Sequence, residues 1–181
     1  RKCGITDYLD LLSKELEKKG HQILVQTINS PEDFGTFSMD LSAIDLCSIQ
    51  FSPYGFSCDG ISGPYLNSFA NALSRKKTHL VFHEIWIGAY PKAKIKEKVW
   101  GWRQKREILK FVKLLNPSVA FGTNSAAIDR LRREGIHAQY LYLFGNIPYS
   151  PMPADSKNEC FRVAFFGTAY ENFPYELLAT R

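Results

Sequence analysis

THLVFHEIW, residues 78–86, is the stretch of sequence that decides the fold. Its apolar run, Leu80 to Phe82, is bounded by polar residues, a pattern typical of a strand buried on both faces of a parallel sheet. In open α/β sheets, ligands bind in the crevice beyond the carboxyl ends of the strands. His83 and Glu84 follow this strand directly, so the sequence predicts that both lie at such a crevice.

Apolar runs alternate with helical patterns on both sides of that strand. Such alternation predicts an α/β fold with a doubly wound, mostly parallel sheet. The further predicted strands are 22–28, 43–51, 119–123, 137–143 and 161–166. The predicted helices are 6–20 with Thr6 as N-cap and Gly20 as its end, 64–73, one within 92–115, and 125–134 with Ser125 as N-cap.

Length and composition set the broad class of the chain. With 181 residues, of which 45% are hydrophobic, it can bury one sizeable core, which allows one domain and a fragment. No apolar run reaches the roughly 18 residues that a membrane span needs, and residues 1–10 lack the apolar segment of a secretory signal, so we expect a cytoplasmic protein. The four cysteines form no C-x-x-C pair, which argues against a zinc site or a disulfide framework.

Positive charge is concentrated between residues 92 and 113. Nine basic and two acidic residues give this segment a charge of +7, so the rest of the chain carries −2 of the net +5. Within the predicted helix, the residues at buried spacing are Ile108, Leu109, Val112 and Leu115. A basic ridge follows Arg103, Arg106, Lys110 and Lys113. The ridge is either a solvated face or a contact with an anionic ligand or anionic membrane; without an RNA or DNA motif, nucleic acid is not expected.

Two loops carry residues suited to ligand contact. The Gly-containing loop before the first helix can receive a phosphate on unpaired N–H groups, or it is an ordinary turn. The loop 52–63 contains three glycines together with Tyr54 and Phe56, which either stack on a ligand or pack onto the sheet. Three prolines within 144–160 indicate a linker.

Five stretches of the chain, taken in order, resemble the GT-B glycosyltransferases of glycosyltransferase family 4. They are CGITDY at 3–8 continuing to KGH at 19–21, HE at 83–84, TN at 123–124, GNIP at 145–148 and VAFFGT at 163–168. The resemblance covers nearly the whole chain. It implies two Rossmann-like domains facing each other across a cleft: an acceptor-side domain at 1–147, a linker at 148–160, and the first βα unit of a second domain at 161–181.

The resemblance also implies an activity. A sugar would pass from a nucleotide-sugar to a hydroxyl of a saccharide or lipid-linked acceptor, with retained configuration and without a metal ion or other cofactor. The relatives' donor-binding residues would lie beyond Arg181, so this chain alone is expected to be inactive. The enzyme would be cytoplasmic, with the basic ridge as its candidate contact with the inner face of the membrane.

Site residues follow from the same resemblance, position by position. Cys3, Gly4, Ile5 and Thr6 would face the donor diphosphate, although Cys3 stands where many relatives have glycine. His83 and Glu84 would be catalytic, since a neutral imidazole can orient an acceptor hydroxyl. The acceptor side of the cleft would be lined by Tyr54, Gly55, Thr123 and Asn124.

Three classes of function stay open at this point. A glycosyltransferase domain predicts that Gly4, Tyr54, His83 and Asn124 line one cleft. A non-catalytic α/β ligand-binding module predicts that these residues are scattered or packed. A basic surface-association module predicts that binding to polyanions depends on the ridge and falls steeply with salt. A zinc protease is excluded because Ile87 stands where the H-E-x-x-H motif requires its second histidine.

Comparison with the resembled fold predicts a vacant position in the sheet of this chain. That fold has a first strand before the loop at Cys3, placed centrally between the strands at 22–28 and 78–83. We expect the predicted strand 161–166 to fill this position, within one molecule or by exchange in a dimer. The competing account is that residues preceding position 1 supply the first strand and that 161–166 begins a second sheet. Pairing of 161–166 with both neighbours would support this prediction.

Overall fold

A computed structural model describes residues 4–28, 30, 33, 41–56, 60, 63–90 and 92–145. The chain divides into two compact units, Arg1–Asn146 and Ile147–Arg181. The expected linker at 148–160 and the expected βα unit at 161–181 lie outside the described residues.

Helices and strands alternate through the described part of the chain. In chain order they are α1 (Gly4–Lys18), β1 (Cys47–Phe51), α2 (Pro53–Phe56), α3 (Gly63–Leu73), β2 (Thr78–Phe82), α4 (Ile95–Leu115), β3 (Val119–Gly122), α5 (Ser125–Arg133) and β4 (Ala138–Tyr140). None of these described helices combines the length and apolar composition needed to cross a bilayer.

The four strands form one parallel sheet in the order β1-β2-β3-β4. The predicted parallel α/β architecture is therefore confirmed. Each connection from one strand to the next leads to the neighbour on the same side. Because such crossovers are right-handed, α3, α4 and α5 all lie on one face of the sheet. The reversal of strand order that defines a doubly wound sheet does not occur among the described strands.

The core fills the space between that face and the three helices. Ile49, Leu80, Ala120 and Ala138 are aligned in register across the sheet, and all are buried. Against this row pack the predicted inward residues of α3, which are Leu66, Phe69, Ala70 and Leu73. Phe111 of α4 stacks on Phe51, with ring centroids 5.5 Å apart, and thereby joins helix and sheet.

The phase of the buried face of α4 differs from the prediction. Ile108 and Leu115 are buried as expected, but Phe111 replaces Leu109 and Val112, which are only half-buried. The reason is that α4 packs on α3 as well as on the sheet, and Phe111 reaches the rings of both Phe51 and Phe69. Gln104 lies on the same buried face, one turn before Ile108.

The predicted strand at 22–28 is wrong. Residues 21–28 are irregular, and Leu24 and Val25 are 64% and 50% exposed. An apolar run forms a strand only where a partner offers backbone hydrogen bonds, and the described residues supply none along this segment. Strand 43–51 is likewise shorter than predicted, since pairing begins at Cys47. Strand 137–143 shortens to Ala138–Tyr140.

The prediction of a vacant central position beside β2 is also wrong. Both edges of β2 are already paired, to β1 on one side and β3 on the other, so no further strand can pair with it. The segment 161–166 itself lies outside the described residues. The strand-exchanged dimer that rested on this vacancy is therefore not supported by the sheet.

Two predicted helix starts need correction. Thr6 lies within the first turn of α1, which begins at Gly4, rather than at its N-cap. The N-cap of α5 is Asn124, not Ser125, because Asn124 has extended backbone and its side chain accepts a hydrogen bond from Ala127 N at 2.8 Å. The predicted stop of α1 at Gly20 is confirmed, since the helix ends at Lys18 and Gly20 has a φ of 86°.

Candidate functional site

The carboxyl ends of neighbouring strands bring the candidate polar residues to one edge of the sheet. Ser52 follows β1, His83 and Glu84 follow β2, and Thr123 follows β3. Backbone hydrogen bonding continues just beyond the strands, because His83 N donates to Phe51 O at 3.0 Å. Thr123 Oγ1 donates to Phe82 O at 3.4 Å. The edge is thus built by the sheet itself.

His83 is held by a chain of side-chain hydrogen bonds. Its Nε2 lies 2.7 Å from Oε1 of Gln50, and Nε2 of Gln50 donates to Ser48 Oγ at 3.0 Å. Because the amide of Gln50 uses its NH₂ group towards Ser48, its oxygen faces His83 and accepts the Nε2 proton. In the neutral ring, Nδ1 is then the nitrogen that can accept a hydrogen bond.

An aromatic ring of α1 packs against His83. Tyr8, the buried residue of α1, packs edge-on against the imidazole with ring centroids 5.9 Å apart. Tyr8 in turn stacks on Phe144, 4.7 Å away. Burial lowers the pKa of His83, with Glu84 acting weakly in the opposite direction. The ring is therefore neutral near pH 7.

Glu84 links the ends of two strands. Its carboxylate accepts a hydrogen bond from Ser52 Oγ at 2.5 Å, although its side chain is exposed. This contact fixes the direction of the carboxylate next to His83. The imidazole of His83 and the carboxylate of Glu84 thus lie next to each other at the carboxyl ends of the strands.

An open pocket of about 260 Å³ lies at this edge. His83, Glu84 and Asn124 line it together with the loop 85–90 and the residues Ala126, Ala127 and Arg130 of α5. The pocket lining therefore contains a positively charged group, Arg130, a negatively charged group, Glu84, and the neutral imidazole of His83. That combination suits a polar ligand that carries hydroxyl groups and some negative charge.

Other predicted site residues lie elsewhere. Gly4, Ile5 and Thr6 form the first turn of α1, and this helix reaches His83 through Tyr8, but they are not among the described residues that line the pocket. Cys3 lies outside the described residues. Tyr54 and Gly55 belong to α2 and are also not in that lining.

Arg103, Arg106, Lys110 and Lys113 all lie on the exposed face of α4. They are separate from the pocket, since the described lining residues include none of them. In the described part of the chain, no cluster of three or more histidine, cysteine or acidic residues has an arrangement suited to a metal ion.

The loop 85–90 that forms one wall of the pocket is fixed to α4. Ile87 N donates to Oε1 of Gln104 at 2.8 Å, and Nε2 of this fully buried side chain donates to Tyr54 OH at 3.2 Å. Tyr90 OH donates to the Glu97 carboxylate at 2.6 Å. Gly101 allows the Ile87 carbonyl to lie directly against the helix, since a Cβ there would overlap that oxygen. Three turns of α4 therefore position the loop.

Sequence reasoning missed Gln50, Gln104 and Arg130. Gln104 had a usable signal, because it precedes Ile108, Phe111 and Leu115 at the 4, 3, 4 spacing of one helix face, and a polar residue on a buried face needs a partner. Gln50 and Arg130 had none, since both act through residues that are distant in sequence.

The burial of His83 predicts a pH-dependent stability. In the unfolded chain its pKa takes the ordinary value of about 6.5, and in the folded chain the pKa is lower. Between these values the unfolded state binds more protons, so the free energy of unfolding should fall as pH drops below about 6.5. The half-buried His79, whose pKa is lowered by partial burial and by Lys77, acts in the same direction.

Urea unfolding of wild type and His83→Gln between about pH 7.5 and pH 5 measures this effect. His83→Gln should lose less stability over the range, while His137→Gln, which changes an exposed histidine, should follow wild type. Equal pH dependence in wild type and His83→Gln would contradict the prediction.

No protein-family model, curated protein or solved structure matches the chain at a significant level.

Proposed function

We propose that this chain is the Rossmann-like, acceptor-side domain of a GT-B glycosyltransferase similar to those of family 4. It would act in a cytoplasmic enzyme that moves a sugar from a nucleotide-sugar to an acceptor hydroxyl with retained configuration. The observation that carries the proposal is the pocket at the carboxyl edge of the parallel sheet, in which His83, Glu84 and Asn124 come together.

Each group in the pocket has a chemical role in this proposal. Neutral His83 donates a hydrogen bond through Nε2 to Gln50, so its Nδ1 can accept a hydrogen bond from the hydroxyl of the acceptor. This bond would orient the hydroxyl oxygen towards the sugar. The Glu84 carboxylate, held by its hydrogen bond from Ser52, accepts a hydrogen bond from a second hydroxyl of the ligand. Arg130 supplies positive charge where a negatively charged group is bound or formed.

The main role of Asn124 in this proposal is to cap α5. Its Oδ1 caps α5, which leaves only its NH₂ group to donate to a ligand. Because the cap fixes the start of α5, it also fixes Ala126, Ala127 and Arg130 along the pocket wall. Catalysis in this proposal requires no metal ion, as the resemblance implies, and the nucleotide-sugar is held mainly by a second domain.

A second candidate is a non-catalytic α/β ligand-binding module. One observation favours it: Tyr54 is tied to the buried Gln104 instead of facing the pocket. In that case the pocket would bind a saccharide with no transfer step.

Two measurements test the proposal. Titration of the chain with mono- and oligosaccharides, followed by amide NMR, should shift the signals of residues 83–90 and 124–130 more than those of α3. The two-domain protein should transfer labelled sugar from UDP- or GDP-sugars to an acceptor that gives such shifts. Shifts without transfer would favour the binding module, and the absence of both would refute the assignment of this pocket.

A further inference from the structure

The solvent-facing side of α4 carries apolar side chains in its first half. Ile95, Val99 and Trp102 are 81%, 56% and 54% exposed. Their spacing of four and three residues places them on one face of the helix, opposite the buried Gln104 and Ile108. Single exposed apolar residues are ordinary, but three large ones along consecutive turns form a continuous patch.

Basic side chains frame these apolar residues. Exposed around them on α4 and just before it are Lys94, Lys96, Lys98, Arg103, Arg106 and Lys110. The acidic residues of this helix do not offset them at the patch. Glu97 is engaged by Tyr90 OH and by Lys94 N, and the Glu107 carboxylate lies against Gly63 at the start of α3.

Two arginine side chains of α4 contact tryptophan rings, one on this face and one beside it. The guanidinium of Arg106 lies 4.9 Å from the ring centre of Trp102, and that of Arg103 lies 4.8 Å from the ring centre of Trp100. Beside Trp102 is a groove of about 140 Å³ lined by Trp86, Lys98 and Lys105. Cation and aromatic ring together suit a boundary between water and hydrocarbon, where indole rings concentrate.

We propose that this surface, the α4 patch (Ile95, Lys98, Val99, Trp102, Arg103 and Arg106), docks on an anionic lipid bilayer. The apolar side chains enter the boundary between headgroups and acyl chains, and the basic side chains contact lipid phosphates. A nucleic acid would use the positive charge but would gain little from Ile95 and Val99. A bilayer uses both features, which is why charge and apolar exposure together favour it.

Docking would also fix the pocket relative to the membrane. The α4 patch lies on the same turns that hold the loop 85–90 through Gly101, Gln104 and Glu97. The pocket wall and the patch thus lie on opposite sides of the same turns of α4. This arrangement suits a lipid-linked acceptor; that last step rests on the proposed function, whereas the docking itself does not.

Vesicle co-sedimentation tests the docking directly. The chain should bind vesicles of phosphatidylcholine and phosphatidylglycerol, in a ratio of about 7:3, at about 0.05 M salt, and should bind phosphatidylcholine alone much more weakly. Binding should weaken as salt rises, and tryptophan emission should shift to shorter wavelength as Trp102 leaves water. Failure of wild type to bind the anionic vesicles at low salt would overturn the proposal.

Three variants separate the contributions. Ile95→Ser with Val99→Ser and Trp102→Ser should weaken vesicle binding about tenfold or more, because each buried apolar side chain contributes. Lys98→Glu with Arg103→Glu and Arg106→Glu should weaken it about 50-fold or more, since each basic residue near an anionic surface contributes roughly fivefold. The matched control reverses the charge of Lys14, Lys19 and Lys77, which are exposed and lie outside α4, and should retain most of the binding.

The outcomes distinguish the occupant of the surface. Thermal unfolding identifies any variant that has lost its fold, and the exposed positions of all nine residues lead us to expect none. Equal weakening by the control would mean that net charge alone drives binding and would overturn the proposal. The same holds if the serine variant binds vesicles as wild type does, or if single-stranded DNA binds more tightly than the vesicles and is insensitive to the serine substitutions.

Discussion

Under the proposed function, His83→Ala should lower sugar transfer by the two-domain protein by about 10²- to 10³-fold, the usual cost of removing one group that stabilises or orients the reacting atoms. The imidazole is oriented by Gln50 and packed against Tyr8, so in the proposed reaction a smaller side chain would leave the acceptor hydroxyl without its hydrogen-bond partner. The loss should appear mainly in kcat, because the group acts on the reacting atoms rather than on binding of the whole acceptor.

The control for this substitution is His137→Ala. It changes an exposed histidine that precedes β4, at the opposite end of the strands from His83. Gln50→Leu provides a second comparison, because it removes the acceptor of the Nε2 proton and leaves the imidazole in place. It should give an intermediate loss and alter the pH profile of kcat. A His83→Ala enzyme within about twofold of wild type would remove His83 from the mechanism.

Gly101→Ala should destabilise the chain by about 2 kcal/mol even though alanine is the better helix former. A methyl group at this position would overlap the carbonyl oxygen of Ile87, and a backbone atom cannot rotate away as a flexible side chain can. Either α4 or the loop 85–90 must move. The hydrogen bond between Ile87 N and the buried Gln104 would be lost with that movement, leaving polar groups unpaired.

Gly55→Ala is the matched control, because Gly55 is also helical and the nearest side-chain atom to its added methyl group, Ser52 Cβ, is 4.0 Å away. It should be neutral or slightly stabilising. Urea unfolding of both variants and wild type gives the comparison. If Gly101→Ala is as stable as wild type, the loop is not held against α4, and the proposed connection between the α4 patch and the pocket wall fails.

Local sequence patterns were sufficient where one element carries the whole signal. The apolar run 80–82 lies within β2, the inward face of α3 is the predicted one, and α1 ends before Gly20. His83 and Glu84 lie at the edge of the sheet because a residue that directly follows a parallel strand can lie nowhere else. These features depend on neighbours in sequence, which periodicity and helix-stop rules describe.

The partners of each element were decided by the tertiary structure. The apolar run at 22–28 forms no strand and β2 has a neighbour on each side, because pairing depends on which backbone groups meet, and periodicity does not specify that. Gln50 reaches His83 only because β1 and β2 pair in register, and Gln104 reaches Ile87 only because α4 packs beneath the loop. The sequence by itself determined a parallel α/β chain with His83 and Glu84 at a strand end. The tertiary structure decided what holds them, since hydrogen bonds between distant segments form only after the strands and helices have packed.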